Sequence, residues 1–148
     1  MRRVVRIAVV LVAIAAFIAF ALTSCPGQRD GVPGQLASAA GEAESATRSA
    51  ALALTLWEQH RSTRTVLSVQ LADARDEVAS AANGLSGLRP RQPAELDGQR
   101  HLTAVMAGVL IDLDTAVAGA RELPGQPEPQ SLTQRLLAAA DVLGQSAA

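Results

Sequence analysis

The chain has no lysine and no tyrosine, one cysteine, one tryptophan, one asparagine and two histidines among its 148 residues. Each scarcity removes a class of function. A single cysteine, Cys25, leaves no intrachain disulfide and no thiolate cluster for a metal. Without lysine there is no Ser-x-x-Lys nucleophile pair, no serine lies in Gly-x-Ser-x-Gly, and there is no phosphate-cradling glycine loop. Aromatic residues make up 2% of the chain, and Phe17 and Phe20 lie in an N-terminal apolar run. Trp57 is then the one aromatic beyond that run, too little to stack sugars or single-stranded bases.

What the chain has in quantity is alanine, leucine and arginine. The stretch Ile7 to Leu22 contains no polar residue, is preceded by Arg2, Arg3 and Arg6, and no acid occurs before Asp30. A basic start, an apolar core and a small-residue exit predict a secretory signal. At 16 residues the run is slightly long for a signal core and slightly short for a spanning helix, which needs about 20. Its exit, Leu22-Thr23-Ser24-Cys25, separates the two readings. It resembles the bacterial lipobox, in which an aliphatic residue and two small residues precede a cysteine. That resemblance covers about the first 25 residues. It implies lipidation of Cys25, as a thioether to a diacylglycerol whose acyl chains include palmitate, and cleavage just before it. The expectation is therefore a signal peptide over 1–24 and a lipid anchor on the extracytoplasmic face of the cell membrane. The alternative is an uncleaved, single-pass anchor.

Loss of residues 1–24 takes three of the thirteen arginines and none of the fourteen acids, leaving a formal charge of −4. That charge and the extracytoplasmic address oppose nucleic-acid binding. Arginine without lysine, many alanines and one asparagine are the bias of a GC-rich genome. Beyond the lipobox the chain resembles, in composition, the small Ala-rich helical lipoproteins of actinobacteria.

Residues 25–35, Cys-Pro-Gly-Gln-Arg-Asp-Gly-Val-Pro-Gly-Gln, carry two prolines and three glycines and predict a flexible tether. Residues 36–148 read as a helical domain. From Leu36 to about Leu85 there is no proline, and Leu52, Leu56, Thr63, Leu67, Leu71, Ala74, Val78, Ala81 and Leu85 form one stripe at helical spacing. Gly41 and the run Ser62 to Thr65 are the soft spots, and Asn83-Gly84 and Gly87 the expected terminators. A second helix opens at Pro93, with Glu95 and Asp97 at the positive end of its dipole, and runs to about 122. Its apolar face is Leu102, Met106, Val109, Leu113, Ala116, Val117 and Ala120. After the break Pro124 to Pro129, a capping box at Ser131 to Gln134 starts a third helix, which ends at Gly144.

No segment alternates with period two, so the expected fold class is all-α. It is an antiparallel three-helix bundle with a long first helix, or four helices if that helix breaks near Ser62. Unbroken, the first helix would run about 75 Å against about 45 Å for the second. Its half from Leu36 to Ala53 would then project as an Ala-rich stalk.

The polar constellations read as structural. Pairing about a turn near Leu88 sets His60 and His101 about 25 Å apart along the axis, too far to share a metal. The same pairing puts Arg64 near Asp114, and Arg100 near Asp76 and Glu77, as interhelical ion pairs. Asp112 and Asp114, two apart on a helix, point to different sides. Asp73 to Glu77 lacks the glycine turn of a calcium loop. Trp57 is expected to plug one end of the bundle, opposite Arg121 to Leu123, or to serve as a partner contact.

The expected function is that of a non-enzymatic, membrane-tethered module of the cell envelope, with no cofactor, metal or nucleic acid, contacting an envelope protein. An alternative is a carrier of a lipid or apolar ligand between helices, which needs a cavity of about 300 Å³.

Overall fold

A computed structural model of the chain describes residues 31–121 and 128–147. These residues are all-helical, with no strand among them. Four helices follow one another: α1 Val32–Glu58, α2 Arg64–Ser86, α3 Pro93–Ala120 and α4 Pro129–Ala147. The apolar run 7–22 and the lipobox 22–25 lie outside the described residues.

The long first helix breaks, which selects the four-helix alternative. Leu56 and Trp57 carbonyls accept from Arg61 N and His60 N at 2.8 and 2.9 Å. These are the two bonds of a Schellman turn, with His60 at its left-handed position, φ 56°. His60 is the one non-glycine residue with positive φ among those described. Thr63 then caps α2, its side chain accepting from Val66 N at 3.3 Å.

The other boundaries shift from the sequence expectation for local reasons. Helix α1 begins at Val32, so the last four residues of the expected tether are helical. Gly31, at φ 94°, turns the chain into the helix, and Pro33 occupies the first turn, where its missing N–H costs nothing. Helix α2 runs through Asn83 and Gly84 to Ser86, and its cap, Gly87, has right-handed φ. Helix α4 starts at Pro129 and passes through Gly144 to Ala147. The Ser131 hydroxyl donates to Glu128 O at 2.8 Å, so no capping box forms there. A Glu95 carboxylate does perform that service for α3, accepting from Gln92 N at 3.1 Å and Arg91 N at 2.8 Å.

The helices run up, down, up and down, each packed on its neighbours in sequence, and α4 returns against α1. α1 also meets α3 across the bundle, whereas α2 and α4 do not touch. α1 therefore takes the central place. Ala40, Ala43, Ala46, Ala50, Ala51 and Ala53 are fully buried or nearly so, and the α1–α4 contact is the most extensive in the fold. This overturns the projecting stalk. A helix face of methyl groups gains little from burial on its own, but it lets two backbones approach closely, and α4 uses that approach.

Around the alanine face Leu54, Leu67, Leu71, Val78, Leu85, Met106, Val109, Leu113, Leu132, Leu136 and Leu143 join in one buried cluster. The stripes predicted for α2 and α3 are the buried faces observed, except Val117, which is partly buried. The stripe fails upstream of the turn. Leu52 is 58% exposed and Leu56 half-buried, because the break resets the helical phase and α1 turns its alanines inward instead.

Candidate functional site

The start of α1, which lies within the expected tether, and Trp57, the expected partner contact, lie toward opposite ends of α1. α1 enters at one end of the bundle and reaches the other 27 residues later, about 40 Å away. At the entry end lie the α2–α3 loop, the start of α3 and the end of α4. There a Cβ placed on Gly98 would lie 3.5 Å from Leu36 Cδ1, and one on Gly41 would lie 4.0 Å from Ala147 Cβ. At the far end lie the turn 59–63 and the end of α3.

The far end carries Trp57 and three exposed aliphatic side chains. Val66 and Val69 are 48% and 54% exposed, and with Leu52 they fall within about 10 Å of the turn along the helix axes. Trp57 is only partly buried and packs against the core. Glu122 and Leu123, two of the three residues expected opposite it, lie outside the described residues. The exposure of Val66 and Val69 is not legible from periodicity. They stand on the outward side of a helix whose stripe, Leu67 to Leu85, is already complete.

The ionisable residues hold helices together rather than converging. Arg48 donates to Glu44 and Asp141, both at 2.9 Å, clamping α1 to α4. Arg75 donates to Asp114, joining α2 to α3, and Arg135 lies 2.9 Å from Asp112, joining α4 to α3. Hydrogen bonding to Glu44 and Asp141 raises the pKa of Arg48 above arginine's ordinary range, and Asp114 does the same for Arg75.

The predicted divergence of Asp112 and Asp114 is observed, but the predicted partners are corrected. Arg75, not Arg64, meets Asp114. Arg100 lies 3.5 Å from Asp97 of its own helix rather than beside Asp76 and Glu77. Arg64 and Arg75 are eleven residues apart, three helical turns, and so share a face. The error is one of sliding. Loop and first turns of α3 overhang the end of α2, so that Gln99 Nε2 meets Leu85 O at 2.6 Å and Gly98 lies beside Leu36 near the start of α1.

His60 sits in the turn at the far end and His101 in the third turn of α3, both exposed. Among the described residues no group of three or more His, Cys, Asp or Glu is placed to hold a metal ion. α3 is the one described helix long and apolar enough to cross a membrane by length and composition. In the fold it is a bundle member, packed between α2 and α4 and paired to both through Asp114 and Asp112.

Comparison of the chain with protein-family models, with curated proteins and with solved structures finds no match.

Proposed function

We propose that this chain is an extracytoplasmic lipoprotein, anchored through Cys25, that works without catalysis as a protein-interaction or structural module of the cell envelope. The lipobox Leu22-Thr23-Ser24-Cys25 after an apolar run supports the anchor. The single observation that carries the interaction reading is the exposure of Leu52, Val66 and Val69 around one turn, at the end of the bundle away from α1's start. Ile111 of α3, 66% exposed, adds a further exposed aliphatic, and a surface that covers such side chains removes their cost in water. A tether at one end and an apolar tip about 40 Å away is the arrangement of a module that holds a partner off the membrane.

The test is native mass spectrometry of the chain extracted gently from its own membranes, with Leu52→Glu/Val69→Glu beside it. A chain beginning at Cys25 with acyl mass, accompanied by a protein that the double variant loses, is the expected result. A small apolar adduct in place of the protein would transfer the function to the carrier reading. An unlipidated chain retaining its N-terminal residues would make 7–22 a spanning anchor. Binding that survives the double variant would move the contact elsewhere on the bundle.

A further inference from the structure

At the end of the bundle where α1 begins, the loop and first turns of α3 carry more cations than acids. Between Gly87 and Arg100 stand three arginines and two acids, a formal charge of +1. The remaining described residues carry six arginines and ten acids, a charge of −4. One of the two local acids is already used, since Glu95 accepts from the backbone of Arg91 and Gln92. The other, Asp97, is paired with Arg100. The Arg89 and Arg91 side chains are exposed and have no acidic partner among the described residues. Pro90 between them and Pro93 after them restrict the loop backbone, so the two cations are held out at little entropic cost.

Chain length decides what this end faces. Six residues separate Cys25 from Val32, and six residues span at most about 20 Å when fully extended. Even measured from Leu22, the end of the apolar run, the nine intervening residues reach only about 30 Å. The α2–α3 loop shares α1's end of the bundle, and with the first turns of α3 it overhangs the end of α2. A membrane that holds the N-terminus is therefore within reach of Arg89 and Arg91.

We propose that Arg89 and Arg91 dock the bundle, anchored end down, on the phosphates of anionic lipid headgroups. The proposal rests on the membrane tether, whether that tether is lipid on Cys25 or the apolar run itself. Docking would stand α1 off the surface and present Leu52, Val66 and Val69 about 40 Å from it. Each arginine near an anionic surface shifts the docked-to-free ratio about fivefold, so the pair is worth roughly 25-fold, and salt weakens it.

The experiment uses the full-length chain, processed in its host and reconstituted into phosphatidylcholine vesicles with and without phosphatidylglycerol. A donor dye is placed on Ala94→Cys, exposed in α3's first turn, or on Gln59→Cys at the far end, with an acceptor on the lipid headgroups. Flotation reports anchoring, and the number of dyes per chain reports whether Cys25 is blocked. The expected result is strong transfer from position 94 and weak transfer from 59 with phosphatidylglycerol. Arg89→Glu/Arg91→Glu should lower the docked ratio by more than the roughly 25-fold lost with the pair's attraction, since it adds repulsion; high salt should weaken docking, and Arg89→Lys/Arg91→Lys should retain it. Chains that float while position 94 is indifferent to phosphatidylglycerol, or to the glutamates, would overturn the docking and leave the tether standing. Chains that do not float would overturn the tether and the docking with it.

Discussion

Asp112 and Asp114, two residues apart on α3, reach in opposite directions: Asp112 pairs with Arg135 of α4 and Asp114 with Arg75 of α2. Each residue of a helix turns about 100°, so i and i+2 lie about 160° apart and one short acidic pair tethers α3 to both flanking helices. The two pairs match the register in which α3 lies against α2 and α4.

These pairs are surface pairs, and their effect on stability should be small and separable. A double-mutant cycle on Arg135 and Asp112 should give a coupling of about 0.5 kcal/mol, because Asp112 is mostly buried and Arg135 half-exposed. The cycle on Arg75 and Asp114 should give less, both partners being well exposed. Arg75 and Arg48 have raised pKa values in the fold, so what they contribute is present below the ordinary arginine value and lost only above the raised one. Thermal melts from pH 6 to pH 9, on the order of neutrality, should therefore show no step from either arginine. A step that disappears with Arg75→Gln would contradict this.

His60 occupies a left-handed position that glycine fills most easily. Replacing it with glycine should be neutral or stabilise by up to about 1 kcal/mol, the relief of backbone strain being partly offset by a freer unfolded chain. His60→Val should destabilise by about 1–2 kcal/mol, since a β-branched residue tolerates positive φ least. Urea unfolding of the two variants measures both; equal stability of valine and glycine would show that the turn does not hold this conformation.

The glycines of α3 and α4 should respond differently to alanine. Nothing lies within 4 Å of a Cβ placed on Gly108, so Gly108→Ala should gain about 0.5–1 kcal/mol of helix stability. A Cβ on Gly144 would meet the Glu44 carboxylate at 2.9 Å, and Glu44 also holds Arg48. Gly144→Ala should therefore recover less than Gly108→Ala, and a melt in which it gains more would place α4 farther from α1 than the fold has it.

The buried alanine face of α1 should not accept larger side chains. Ala43 and Ala50 are fully buried, and Ala43→Leu or Ala50→Leu should cost about 1–3 kcal/mol by forcing the helices apart. Calorimetry would find the reverse, a gain, if this face of α1 were not packed in the bundle.

Thr133 Oγ1 is buried with no hydrogen-bond partner. Thr133→Val keeps the shape and removes the stranded hydroxyl, so it should raise stability by about 1 kcal/mol, in contrast with Thr47→Val, whose hydroxyl is bonded to Ala43 O at 2.6 Å. Denaturant midpoints that fall for both variants would show that Thr133 has a partner in solution.

Local chemistry made the class of this fold legible. Periodicity of 3.6, proline at first turns, a proline-rich break and the absence of alternation determine helices and, within α2 and α3, which residues are inward. The Leu67 to Leu85 and Leu102 to Ala120 faces could be read without coordinates because leucine and valine at helical spacing have only one way to leave water. The lipobox and the apolar run are likewise properties of the sequence by itself. Tertiary structure decided what weak local signals left open. A histidine rather than a glycine takes the turn that breaks the first helix, and that break rephases α1 so that Leu52 faces out. Alanine carries too little hydrophobic signal to say whether a face is buried, so the central place of α1 emerges only once α4 has packed on it. The sliding of α3 against α2, and with it the projection of Arg89 and Arg91 at α1's end, follows from an overhang set by contacts between residues distant in sequence, which no periodicity records.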